Sequence, residues 1–485
     1  MRESFLASSP VLLMTVALLV MSVAIAVGEP GRAATDVRKR LDKILTNHNQ
    51  SKAVLGARVI ELSGGRVLYD RDGHRPMLPA SNMKLIVMAA AIDKLGKDYQ
   101  FKTILAIRGD DLLVIGGANP TFGDERLARQ RGETITAVFH AWADALKAAG
   151  VRQIPGNIVI DDSILDQQFI HPNWPADQFQ KWYEAPIGGL NFNANCTAVR
   201  VRPTTPGKPA EASLVPGNRL LKIVNKTVTG KKNGATVSRK KDSDTVIVCG
   251  SVAKEGVHGP VTVRDPGLYF GSVLKTVLAA QGIRVAGNVV RETVRLNDGS
   301  IPAGCHIVAV HRSPLTDALS RAGKQSLGMA AEALIKLLGS EHSGTGSWDN
   351  GRLAVGEFLR KVGVPADQVT VDEGSGLSRA NRLSPAAATQ VLRYMYSAPD
   401  GAFETLRNAL ACAGVDGTMK KRCRWPETKG RVFAKTGYIK GVRTLTGYIH
   451  TTSGQWLAFA FFYNQAANPA AMKKLQDDAC RLLAH

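Results

Sequence analysis

Ser81-Asn82-Met83-Lys84-Leu85-Ile86-Val87-Met88-Ala89-Ala90-Ala91-Ile92 sets a serine and a lysine at the head of a strongly apolar run. The run continues to Leu95 and meets Gly96, which predicts a buried helix over 81–95. A spacing of three places Ser81 and Lys84 on one helix face, one turn apart. A serine hydroxyl becomes a nucleophile when a base takes its proton, and a lysine is such a base once burial or a nearby cation lowers its pKa. The start of a helix also points free N–H groups at a reacting centre. The competing reading of Ser81 is an ordinary helix N-cap. The same pattern recurs at Ser238-Arg239-Lys240-Lys241, in a polar, basic stretch with no apolar helix behind it. That copy reads as chance.

A second short motif changes the balance. Lys435-Thr436-Gly437 precedes two β-like runs, 444–450 and 455–463, joined by Ser453-Gly454. A strand carrying a cation, a hydroxyl and then a glycine suits a carboxylate ligand lying close to the backbone. Alone it is a surface triplet. With S-x-x-K upstream it points to the serine enzymes that recognise penicillin.

Longer stretches extend the match. They are Pro79-Ala80-Ser81-Asn82-Met83-Lys84, Leu190-Asn191-Phe192-Asn193-Ala194-Asn195, Asp372-Glu373-Gly374-Ser375-Gly376-Leu377-Ser378-Arg379, Ala413-Gly414-Val415-Asp416-Gly417-Thr418 and Ala434-Lys435-Thr436-Gly437. In these the chain resembles the D-alanyl-D-alanine carboxypeptidase/endopeptidase family, the class C low-molecular-weight penicillin-binding proteins. The resemblance covers most of the chain after residue 50. It implies an α+β fold of the penicillin-binding, β-lactamase-like transpeptidase type, an antiparallel sheet with helices on both faces, carrying a large β-rich insertion. It implies Ser81 as acylated nucleophile, Lys84 as base and Ser326 as proton relay. Lys435, Thr436, Gly437 and Tyr438 would bind substrate, with the Ser81 and Tyr438 N–H groups as oxyanion hole. Arg379, after a glycine-rich loop, is a candidate for a substrate carboxylate, with loop structure as the equal alternative. Asp162, ending a β run, is read either as a surface turn or as a contact for the peptide stem. The expected partners are peptidoglycan stem peptides and β-lactams, with no metal and no organic cofactor.

One departure falls in the site. The family's S-x-N motif is Ser326-Leu327-Gly328 here. Its asparagine orients the lysine and donates to the substrate's amide carbonyl. Glycine leaves three readings: a site rebuilt with other groups, a weakened or non-catalytic murein-binding relative, or a helix-packing residue. A β-lactamase or esterase of the same fold also stays open. The chain has no G-x-S-x-G elbow and no H-E-x-x-H, so α/β-hydrolase and zinc-peptidase chemistry lack their usual carriers.

The remaining sequence sets the frame. With 485 residues the chain is too long for one compact core. The expected division is 35–96 plus 304–485 for the peptidase and 97–303 for the insertion, short β runs among Gly, Pro and Asn that read as one or two small domains. Helical periodicity is expected again over 314–338, 351–362, 385–396 and 469–483, and an amphipathic helix over 36–47. Arg2 precedes an uncharged apolar run, 11–27, ending at Gly28-Glu29-Pro30. That is the layout of a secretory signal, with an uncleaved anchor as the alternative, and places the protein in the periplasm. The 62 Lys+Arg against 41 Asp+Glu give a net charge of +21. No nucleic-acid-binding motif accompanies it, so a carboxylate-rich polymer or an acidic membrane face is the expected neighbour. Six cysteines in an oxidising compartment predict disulfides, with Cys412–Cys423 the best pair, then Cys196–Cys249 and Cys305–Cys480.

Overall fold

The computed structural model describes residues 30–47, 52–296 and 298–485. The apolar run expected as a signal lies outside them. No helix among the described residues is long and apolar enough to cross a membrane.

The strand Trp456–Asn464 organises the first unit. Its Ala458, Ala460 and Phe462 enter one apolar cluster, while Leu457, Phe459, Phe461 and Tyr463 enter another. Side chains alternate along a strand, so a near-continuous apolar run means that both faces are covered. The strand is central in a six-stranded sheet with the order Ala411–Cys412, Val432–Ile439, Val442–His450, Trp456–Asn464, Val54–Glu61, Val67–Arg71. Every neighbouring pair is antiparallel. One face carries the helices Met83–Leu95, Leu315–Lys324, Gly328–Ser343, Trp348–Val362 and Pro385–Ser397. The other carries Pro30–Leu45 and Pro469–Leu483. This is the expected antiparallel sheet between helical layers.

Between residues 97 and 303 the described residues build four further sheets and a second core. The largest is five-stranded and mixed, ordered Val289–Arg291, Ile158–Asp161, Asp111–Ile115, Gln100–Arg108, His306–Pro314. Its last strand comes from beyond residue 303. The helices Ala137–Ala148 and Pro266–Ala280 add to this core, around Phe122, Phe139, Trp142, Phe192 and Phe270. Two three-stranded sheets and the two-stranded pair Gln153–Ile154 with Arg284–Val285 complete it. The basic stretch 227–241, which reads as turn-rich, contains strand residues in Lys222–Thr229 and Thr236–Arg239. Ser238 lies in the second of these, so the duplicate S-x-x-K motif is not at a helix start.

Two expectations fail here for clear physical reasons. The helical periodicity over 314–338 is two helices, broken at 325–327, where Ser326 takes a left-handed φ of +60°. Apolar spacing continues in register across the break, so the pattern hides it. The disulfides are also absent: all six cysteines are free. Instead of pairing with Cys412, the Cys423 thiol meets Cys480, which faces it from the helix Pro469–Leu483. Loop length in sequence says nothing about which way each Sγ points.

Candidate active site

Ser81 occupies a single 3-10 turn, Ala80–Asn82, that runs into the helix Met83–Leu95. Residues Met83 to Ile92 of that helix are all buried, which fixes the turn rigidly against the sheet. Lys84 Nζ lies 3.2 Å from Ser81 Oγ and donates to the Ser375 carbonyl at 2.5 Å. Burial strips water from the ammonium and pulls Lys84 down to about 8, against the opposing influence of Glu373 and then Glu332.

The other side of the cleft comes from the broken helix pair and the strand Val432–Ile439. The break at 325–327 turns the Ser326 hydroxyl toward that strand, where it accepts from Lys435 Nζ at 2.9 Å. Lys435 is fully buried and also donates to the Thr436 carbonyl at 2.7 Å. Burial, and then the charge of Lys84, hold Lys435 well below the usual lysine range. Thr436 Oγ1 donates to Thr418 Oγ1 at 3.0 Å. Pairing with Ala411–Cys412 ends at Ala434, so beyond it the Val432–Ile439 strand has no neighbour on that side. A Cβ on Gly437 would sit 2.8 Å from Asn82 Nδ2 and 2.9 Å from the Pro79 carbonyl. The glycine therefore lets the strand lie against the turn that holds Ser81. That packing role is one the sequence did not suggest.

Between these elements lies a cavity of about 490 Å³, lined by Ser81, Lys84, Ser326, Gly328, Arg379 and Tyr438 among others. Tyr438 is 59% exposed at its rim. Arg379 lines it too and donates to the Lys440 carbonyl at 3.2 Å. Pro175, Gln178, Trp182 and Tyr183 supply a wall from the 97–303 region. Sequence reasoning missed this wall, because nothing in a loop of mixed polarity says that it folds back over a distant turn.

Asp162 is not part of the cleft. It is buried and holds Arg291, with Nε to Oδ1 at 3.0 Å and Nη2 to Oδ2 at 3.1 Å. It is neither a surface turn nor free to meet a peptide: an acidic pair that ends a strand here anchors basic residues of its own domain. Its neighbour Asp161 caps the backbone N–H groups of Val294 and Arg295.

A buried acid pair also escaped the sequence reading. Glu332 and Glu373 are both fully buried, and together they accept from the backbone N–H groups of Gly374, Ser375 and Gly376. They lie 41 positions apart in sequence, on a helix and a loop, so neither pattern nor spacing joins them.

Comparison with known proteins agrees with this fold. The D-alanyl-D-alanine carboxypeptidase of an Actinomadura species is 32% identical, covering 99% of this chain and 90% of that protein. The D-alanyl-D-alanine carboxypeptidase DacB of Haemophilus influenzae is 26% identical over 83% of this chain and 84% of its own length. The crystal structure of penicillin-binding protein 4 from Haemophilus influenzae superposes with a TM-score of 0.74 at 22% identity, covering 92% of this chain and 99% of that one. The model of the D-Ala-D-Ala carboxypeptidase 3 (S13) family matches residues 37–485, and the chain belongs to that family.

Proposed function

We propose that the protein is a serine D-alanyl-D-alanine carboxypeptidase that acts on peptidoglycan stem peptides and is acylated by penicillins at Ser81. The observation that carries this is Lys84 beside Ser81 at 3.2 Å on one cavity that Ser326 also lines, with buried Lys435 donating to Ser326 at 2.9 Å. In the first step Lys84 takes the Ser81 proton, and Oγ attacks the carbonyl carbon of the penultimate D-alanine. The Ser81 and Tyr438 N–H groups receive the oxyanion, an arrangement in which one lost donor typically costs about 10²–10³ in rate. Lys435 and Thr436 bind the terminal carboxylate, with Arg379 available for a second carboxylate of the stem. Ser326 hands its proton to the leaving amine and takes back the one that Lys84 removed from Ser81, which returns Lys84 to its neutral form. Water, deprotonated by Lys84, then hydrolyses the acyl-enzyme and restores Ser81.

The apolar run at 11–27 after Arg2 supports export to the periplasm, where the substrate lies. The net charge of +21 suits a polymer whose stem peptides carry carboxylates. The test is product analysis with a pentapeptide ending in D-Ala-D-Ala. Release of free D-alanine, with slow or no turnover of a β-lactam and of a simple ester, is the expected result. Rapid β-lactam or ester turnover without D-alanine release would point to a different enzyme of this fold. No reaction and no acylation would point to a murein-binding relative.

A further inference from the structure

We infer that the Ser375 carbonyl, fixed from behind by the buried carboxylates of Glu332 and Glu373, positions Lys84 in this chain, the task an asparagine at 328 would otherwise have. The inference rests on the proposed role of Lys84 as base.

A neutral amine has one lone pair and two N–H groups. Donating one N–H to the Ser375 carbonyl, at 2.5 Å, leaves the lone pair to face the Ser81 hydroxyl at 3.2 Å. The direction of that carbonyl is set by its own peptide unit. In a trans peptide the C=O and the following N–H point in opposite directions. The Gly376 N–H donates to Glu373 Oε1 at 2.6 Å, so the Ser375 C=O points away from Glu373 and toward Lys84. The Ser375 N–H donates to Glu332 Oε1 at 2.6 Å and Glu373 Oε2 at 3.1 Å, and the Gly374 N–H to Glu332 Oε2 at 3.0 Å. Three consecutive N–H groups are thus directed to one acid pair. Trp348 Nε1 holds Glu332 at 2.8 Å, and Trp174 Nε1 holds Glu373 at 3.2 Å.

Gly328 completes the picture. A Cβ there would sit 3.1 Å from the Tyr183 carbonyl and 3.5 Å from Ser375 Cβ. The start of the missing side chain is already boxed in by the loop that supplies the carbonyl and by the Trp182–Glu184 turn. Two carboxylates in contact, both without water, do not both ionise. Glu332 keeps its proton, raised by burial and by Glu373, and Glu373 is the anion. The titratable groups facing Lys84 are therefore the Glu373 anion from the loop, protonated Glu332 from its helix and Lys435 from the strand. A loop brace alone needs no charge, since buried ion networks can be replaced by apolar packing at little cost. A charge beside the base affects the base itself.

The test is the pH dependence of the acylation rate with one β-lactam, for wild type, Glu373→Gln and Gly328→Asn. Acylation needs neutral Lys84. Removing the Glu373 anion makes Lys84 lose its proton at lower pH, so the acid limb of the profile moves to lower pH. Loosening the Gly376 N–H anchor should also lower the plateau rate about tenfold, as expected for a misdirected catalytic group. A purely structural brace lowers the rate and leaves the limb in place, which would overturn the inference. If Glu373→Gln does not fold, Gly328→Asn carries the test, because it touches neither carboxylate. Its acylation rate should fall at least threefold with little change in melting temperature. An unchanged or faster rate would mean that the Ser375 carbonyl has not replaced the asparagine. Failure of wild type to be acylated at all would count against the proposed function instead.

Discussion

Gly376→Ala should disable acylation while leaving the protein folded. Gly376 has a φ of +79°, and a Cβ added there would overlap the Ala80 carbonyl and sit 2.9 Å from the Ser81 backbone nitrogen. Ordinary contacts lie at about 3.5 Å, so the Ala80–Ser81 peptide or the 372–378 loop must retreat by roughly 1.5 Å or more. The left-handed conformation adds a cost of about 1–2 kcal/mol for any residue with a Cβ. That peptide carries the Ser81 N–H proposed for the oxyanion, and the same loop carries the carbonyl that holds Lys84. A misplacement of about 1 Å costs on the order of 10²-fold in rate. The assay is the second-order rate of labelling by a fluorescent penicillin, set beside thermal unfolding of the same sample. The expected result is a fall of about 10²-fold or more with a melting temperature lower by only a few degrees. Labelling within threefold of wild type would refute the claim that this contact fixes the nucleophile's turn.

With Lys84 held at about 8, the acylation rate of wild type should rise with pH through that value, because the base works only after losing its proton. A rate that stays flat from pH 6 to 9 would contradict the assignment of Lys84. Ser326→Ala should slow acylation, since Ser326 faces the cleft and accepts from Lys435, whereas Ser238→Ala, on a strand of a remote sheet, should change neither labelling nor stability. Under mild oxidation the first disulfide should join Cys423 to Cys480, whose thiols meet between the loop and the last helix. Peptide mapping that finds Cys412 joined to Cys423 would restore the pairing expected from sequence.

The parts of the fold that are legible in sequence are those in which local pattern and burial coincide. The Trp456–Asn464 strand is apolar throughout because both of its faces are covered, and the helix from Met83 is apolar because all sides are packed. Ser81 and Lys84 could be picked out by spacing, Lys435 and Thr436 by a distinctive triplet and Ser326 by family resemblance; Ser81, Lys84 and Ser326 line one cavity, and Lys435 stands behind it, bonded to Ser326. The rest of the site depends on contacts that no local pattern records. Glu332 reads as one residue of a helix and Glu373 as one of a loop, and their common role exists only once Gly374, Ser375 and Gly376 lie between them. Trp182 and Tyr183 reach the cleft from a region whose own core is elsewhere. Asp162 reads as a polar turn because Arg291, its partner, is 129 residues away.

The central claim is that Ser81 is the nucleophile, and adduct mapping tests it most directly. Purified protein is treated with a penicillin, digested, and the acylated peptide located by mass spectrometry, with Ser81→Ala treated in parallel. The account predicts a single adduct on Ser81 that is missing from the folded variant. No adduct on folded wild type, or an adduct that persists when Ser81 is alanine, would contradict it.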